Sequence, residues 1–250
     1  YVGISFPLIF FITLIIFLIF RPPFSLGLFA GNLWWLLLIS VGMAIITNLI
    51  FYRALDDDKL GEIQTLDLLR TIPIIIFSSL VFTDERNFAV IIPALVASAA
   101  IIWAHWEHHH FKIAKHTLPF FLWSLSTASV GAIISKILLA SWNPISLELV
   151  RSGIMALILG SLFSKQISKI SSKAFWFLLA TNISSSVAWI LYYFSYQRSG
   201  IIYTVLIFSL QPLLVYFASV FFLKERLQWK KAVAFAIVLL SIVIAQIISG

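Results

Sequence analysis

The chain has 250 residues, of which 61% are hydrophobic and only 11% charged, with a mean hydropathy of +1.04. Soluble domains carry about 45–50% apolar and about 25% charged residues, so this composition excludes a water-soluble fold and calls for lipid as solvent. The formal charge of +7 does not point to nucleic acid, because the basic residues lie between hydrophobic runs, where they orient helices; with no cysteine there are no disulfides or thiolate metal sites.

A membrane-crossing helix needs about 20 largely apolar residues. The sequence supplies nine such stretches. The first, Ile4–Phe20, stops at Arg21-Pro22-Pro23, and the second covers Leu33–Tyr52. After the acidic run Asp56–Asp58 comes the third, Glu62–Phe82, ending at Asp84-Glu85-Arg86. The fourth covers Phe88–His105. A linker (106–118) follows, and with His105 it holds all five histidines. The fifth to seventh cover Pro119–Ala140, Ile145–Ser164 and Ala174–Tyr196. The eighth, Ile202–Leu223, ends at Lys224-Glu225-Arg226, and the ninth is Trp229–Ile248. Runs such as Pro7–Phe20 are apolar all round and lack the alternation of barrel strands, so an all-α integral membrane fold is expected.

The sequence also repeats. Gly61 is followed twelve residues later by Pro73, and Gly200 by Pro212. Each proline leads to an acidic–basic pair, Glu85-Arg86 or Glu225-Arg226, and then to one more span. The two glycines stand 139 positions apart and open the third and eighth spans. An odd number of crossings separates them, so equivalent elements run in opposite directions, as in the inverted repeats of secondary transporters. The N-terminal repeat is read as 1–105 and the C-terminal one as 119–250.

On these residues the chain resembles the drug/metabolite transporter superfamily, and within it the EamA-type permeases. The C-terminal half carries the resemblance most fully, through Tyr193 to Gly200, Ser209-Leu210-Gln211-Pro212, Lys224-Glu225-Arg226 and Asn143-Pro144 with Leu149-Val150-Arg151. The N-terminal half matches through Tyr52, Ala54-Leu55, Pro73 and Asp84-Glu85-Arg86. The resemblance implies ten helices in two inverted five-helix repeats. The missing one would be the first, which fits a chain that starts at Tyr1, beside a hydrophobic run, and is read as trimmed.

Polar groups inside spans are costly and mark candidate sites. In the third span Gln64, Asp67 and Arg70 share one face just before Pro73. Two readings stand: a wet cavity in which Arg70 meets a substrate anion and Asp67 an amine or proton, or an internal pair that neutralises itself. The seventh span carries Asn182, Ser185, Trp189, Tyr193 and Tyr196, and the second carries Asn48 and Tyr52. Trp123, Thr127 and Ser135 mark the fifth, and Tyr203, Ser209 and Gln211 the eighth. Together they suggest an aromatic pocket with few hydrogen-bonding groups. Helix packing and interfacial aromatics account for them equally well, Tyr52 and Tyr196 above all. Lys136 and the Glu148/Arg151 pair lie near span ends, where snorkelling to the headgroups explains them. The histidine run reads as a solvated linker.

The expected function is a multi-pass secondary transporter of the plasma or inner membrane, moving a small organic metabolite by alternating access. Its expected partners are the substrate and the bilayer, with protons as a candidate coupling ion through Asp67. No cofactor, metal or nucleic acid is expected, and the oligomeric state is not specified. The alternative is a non-transporting scaffold or assembly subunit. Orientation divides the arguments: the loops after even-numbered spans hold eleven basic residues against five on the other side, which puts the C-terminus outside, whereas the resemblance puts it inside.

Overall fold

A computed structural model describes residues 2–24, 33–57, 69–105, 118–164, 170–211, 213, 214, 217, 220, 221, 224 and 228–249. All regular structure among them is helical. The elements are α1 (Val2–Phe20), α2 (Trp34–Asp57), α3 (Thr71–Val81), a short 3₁₀ turn (Thr83–Glu85), α4 (Phe88–His105), α5 (Leu118–Leu139), α6 (Pro144–Leu162), α7 (Ser172–Phe208) and α8 (Trp229–Ser249). Six of them are long and apolar enough to cross a membrane, and α3 and α4 are shorter apolar helices. The chain is therefore a multi-pass membrane protein. Gln64, Asp67, Pro212, the linker histidines and Glu225-Arg226 lie outside the described residues.

The helices group into two compact units. One comprises Tyr1–Asn48 with Ile134–Arg198, the other Leu49–Ile133 with Ser199–Gly250. Each unit thus draws on both halves of the sequence.

In the first unit α1 packs antiparallel on α6. Lipid supplies no hydrophobic force between helices, so close approach through small residues matters instead. Gly153 receives the Phe10 ring and Gly160 receives Pro7, while Gly3 lies against Phe163; a Cβ there would come within 2.6 Å of the Phe163 Cβ. The start of α6 is built locally. Asn143 stands in extended backbone, its side chain accepts from the Ile145 N–H at 2.9 Å, and Pro144 takes the first turn, where its missing N–H costs nothing.

In the second unit α4 and α8 pair antiparallel along a seam of small residues. Ala94, Ala97, Ile101 and Ala104 recur every three or four positions on α4, and Ala234, Val238, Ser241 and Ala245 on α8; all are buried. Thr71 donates to Ser98 at 3.1 Å, and so ties α3 to α4. Pro73 falls in the first turn of α3, where it opens the helix and interrupts no bond within it.

The turn Asp84-Glu85-Arg86 closes two helix ends at once. Arg86 donates through Nε to the Ser79 carbonyl at 2.9 Å and through Nη2 to that of Leu80 at 2.8 Å, capping the C-terminus of α3. Glu85 turns the other way. Its two carboxylate oxygens accept from the N–H groups of Ile201 at 2.6 Å and Ile202 at 3.1 Å, although the side chain is only 6% exposed. Those amides are free because α7 breaks at Gly200, where φ is 83° and ψ is 174°. The broken helix thus starts again on a carboxylate, which also suits the positive end of its dipole.

Gly200 has two separate reasons to be glycine. Its backbone lies in a region that L side chains avoid, at about 1–3 kcal/mol each. A Cβ there would also sit 2.7 Å from the Glu85 Oε1 atom. Gly200→Ala should lower stability by about 1–3 kcal/mol or more in a detergent unfolding titration. Gly42→Ala, on α2 where a Cβ meets nothing within 4 Å, should be neutral or stabilising.

Candidate functional site

Most polar side chains within the described helices are spent on their own backbone. Asn48 donates to the Ala44 carbonyl, Thr127 to Trp123, Asn182 to Leu178, Ser186 to Asn182 and Thr204 to Gly200. Such bonds to a residue one turn earlier satisfy a polar group in lipid and use a hydroxyl's one donor, or one of the two N–H groups of an Asn amide.

One cluster differs. On α6, Arg151 follows the Asn143 cap by eight residues, about 12 Å along the axis. Its Nη1 donates to the Tyr193 hydroxyl. Its guanidinium carbon lies 5.2 Å from the Trp189 ring centroid and 5.9 Å from that of Tyr193. A cation over two aromatic faces is held by their quadrupoles, worth about 0.5–2 kcal/mol. Tyr192 and Tyr196 extend the aromatic set, their hydroxyls 2.5 Å apart and their rings 4.5 Å apart. Glu148 sits one turn before Arg151 and is 5% exposed. Arg151 Nε and Glu148 Oε2 are both shut from solvent with no hydrogen-bond partner among the described residues. All of this lies within the first unit.

The structure thus brings Trp189 and Tyr193 together, as expected, but on a cation that snorkelling had been thought to explain. Neither Arg151 nor Glu148 is a free side chain: one is clasped by aromatics and the other is buried. Tyr196 is likewise 2% exposed and hydrogen-bonded to Tyr192, and does not present itself as an interfacial ring. The signal was the Asn143-Pro144 cap, part of the family resemblance but not used to measure depth. Counting from it places Arg151 two turns inside the helix.

The remaining expected residues lie elsewhere. Asn48 closes the first unit's N-terminal segment, while Tyr52, Arg70, Trp123, Thr127, Tyr203 and Gln211 belong to the second. Tyr52 stands edge-on to Phe51, their centroids 5.6 Å apart. Arg70 precedes α3, half-buried and engaged with its surroundings. Trp123 is half-buried, and Gln211 is exposed. Tyr203 donates to Gln246 and lines a polar cavity of about 300 Å³ with Asp84, Asn87 and Ser199. No group of three metal-ligating side chains occurs among the described residues.

Comparison with known proteins settles the family. Residues 117–246, just over half of the chain, match the EamA-like transporter family. The chain belongs to that family. No curated protein matches this EamA-like chain by sequence. A solved crystal structure, described only as that of a protein, is similar over 99% of this chain and 87% of its own, at TM-score 0.73 and 15% identity. At that identity the likeness speaks for the fold alone. The family match covers α6, α7 and most of α8, and so the whole Arg151 cluster. In this EamA-like protein the aromatic-clasped Arg151 therefore stands within the segment that matches the family.

The cluster's energetics can be separated from its function. Glu148 and Arg151 make no direct ion pair, but the guanidinium is the buried carboxylate's neighbouring opposite charge, and removing it leaves Glu148 less compensated, at up to about 3–5 kcal/mol. Arg151→Met should therefore destabilise strongly. Glu148→Leu combined with Arg151→Met should recover most of that loss, as replacement of a buried charge pair by apolar residues usually does. Thermal unfolding of wild type, Arg151→Met and the double variant in one detergent provides the comparison.

Proposed function

We propose that this protein is a secondary transporter of a small organic metabolite, working by alternating access in the plasma or inner membrane. In this reading nine spans are present, forming two inverted repeats. Family membership supports transport, and helix pairing supports the repeat. The helix α8 begins 141 positions after α4, close to the 139 that separate Gly61 from Gly200, and α6 pairs with α1 as α8 does with α4. These equivalent helices pack on each other antiparallel, an arrangement that suits a two-fold axis lying in the membrane plane.

The observation that carries the site assignment is the Arg151 guanidinium with an unspent, buried N–H. A guanidinium presents donors in a fixed fork that matches a carboxylate or phosphate. Arg151 would take an oxyanion of the cargo, and Trp189 and Tyr193 would pack against its apolar part. Asp67 remains the candidate group for proton coupling, and exchange without coupling is equally allowed.

A thermal-shift screen of the purified protein against organic anions, amino acids, nucleosides, sugars and organic cations should identify the cargo, which this reading expects to be acidic or zwitterionic. Uptake into proteoliposomes then tests the site. Arg151→Lys keeps the charge but loses the planar fork, and it should cut uptake at least tenfold (about 1.4 kcal/mol) while leaving the unfolding midpoint within a few degrees. Wild-type uptake by Arg151→Lys, or a cargo that is purely cationic, would remove Arg151 from the substrate site.

A further inference from the structure

Along the seam of α4 and α8 runs an apolar groove of about 390 Å³, lined by Val96, Ala99, Ala100, Trp103, Val233 and Ile237. Alanines make it: Ala99 is exposed and Ala100 forms the buried floor, so no side chain fills the space. From Trp103 to Val96 it extends about 10 Å along α4, some two thirds of the hydrocarbon depth of one leaflet.

The mouth of the groove is different in kind. Trp103 and Trp229 meet edge to face, their centroids 5.5 Å apart, and are 41% and 65% exposed. Exposed paired tryptophans at the end of a span mark the headgroup level. Lys230 Nζ lies 5.9 Å from the Trp103 ring centroid, over the mouth, and Lys231, next in sequence, adds a second positive charge to the first turn of α8. At the same point α8 begins: the Lys231 and Ala232 amides bond to the Gln228 carbonyl, at 3.1 and 3.2 Å, while those of Trp229 and Lys230 come before the helix's own bonds and form the positive end of its dipole.

We propose that this groove is a binding site for an anionic glycerophospholipid, with one acyl chain lying on Ala99 and Ala100 and the phosphate held by Lys230, Lys231 and the first turn of α8. The argument for the occupant is charge complementarity joined to shape. A channel that is apolar along its length and doubly basic at the headgroup level fits an amphiphile with one anionic head. A lipid whose head carries its own cation would set that cation against the two lysines. The site is separate from the Arg151 cluster and does not depend on what the protein transports.

Native mass spectrometry of the full chain, released from detergent containing equimolar phosphatidylglycerol and phosphatidylcholine, tests the proposal. Wild-type protein should retain phosphatidylglycerol roughly tenfold or more over phosphatidylcholine. Lys230→Gln with Lys231→Gln should bring the ratio close to one, and Lys230→Arg with Lys231→Arg should keep it. Ala99→Leu, on the exposed wall of the groove, should reduce retention of both lipids without changing the unfolding midpoint. Equal retention of the two lipids by wild type, or a ratio unchanged by removal of both lysine charges, would overturn the proposal. So would competition by soluble glycerophosphate as effective as that by the intact lipid, because the groove would then contribute nothing.

Discussion

In hydrocarbon there is no water to take up an unpaired backbone amide, and that constraint governs this molecule most visibly where a helix stops. At Gly200 the chain turns through a conformation open to glycine, and the next two described amides would face lipid or protein unpaired. Glu85 meets both of them. The adjacent Arg86 closes α3 in the opposite sense by covering two of its last carbonyls. The acidic–basic pair that recurs in the sequence thus works, in its first occurrence, as a double cap. It joins a turn in the first half of the sequence to a break in the second. An interior break in a helix becomes tolerable when a buried carboxylate satisfies it.

The same accounting separates structural polar groups from candidate functional ones. Asn48, Thr127, Asn182 and Ser186 return their donors to their own helices and so behave as ordinary residents of a membrane span. Arg151 does not. It is clasped by Trp189 and Tyr193 yet keeps an N–H with no partner among the described residues, and Glu148 keeps such an oxygen one turn away; Thr13, Ser78, Ser129 and Trp142 also keep such atoms, but theirs are uncharged. Leaving such groups unsatisfied costs stability. A protein from a transporter family that retains them in a span has a reason to do so, and the proposed reason is cargo.

Much of the architecture could be read from the sequence. All-round apolar runs gave helices, and Asn143-Pro144 marked the start of α6. The aromatic stripe Trp189–Tyr193 was legible as a shared face because helical spacing alone puts those residues together. What could not be read was long-range. Glu85 and Gly200 are more than a hundred residues apart, and nothing local says that one caps the helix behind the other. The depth of Arg151 was misjudged because a charge near a span boundary was assigned to the boundary, when counting from the Asn143 cap puts it two turns inside. Tyr196 was placed at the interface by residue type, which cannot distinguish an interfacial ring from one buried against Tyr192.

The central claim is that the Arg151 cluster faces a pathway open in turn to each side of the membrane. The absence of native cysteine allows a direct measurement, with a single cysteine introduced at Trp189, which is 42% exposed beside Arg151. A membrane-impermeant thiol reagent, applied in separate experiments to each face of sealed vesicles, should label this position from both faces, and the cargo found by screening should slow the labelling. A cysteine that reacts from neither face, while a lipid-soluble thiol reagent labels it readily, would place Trp189 against lipid and contradict the account.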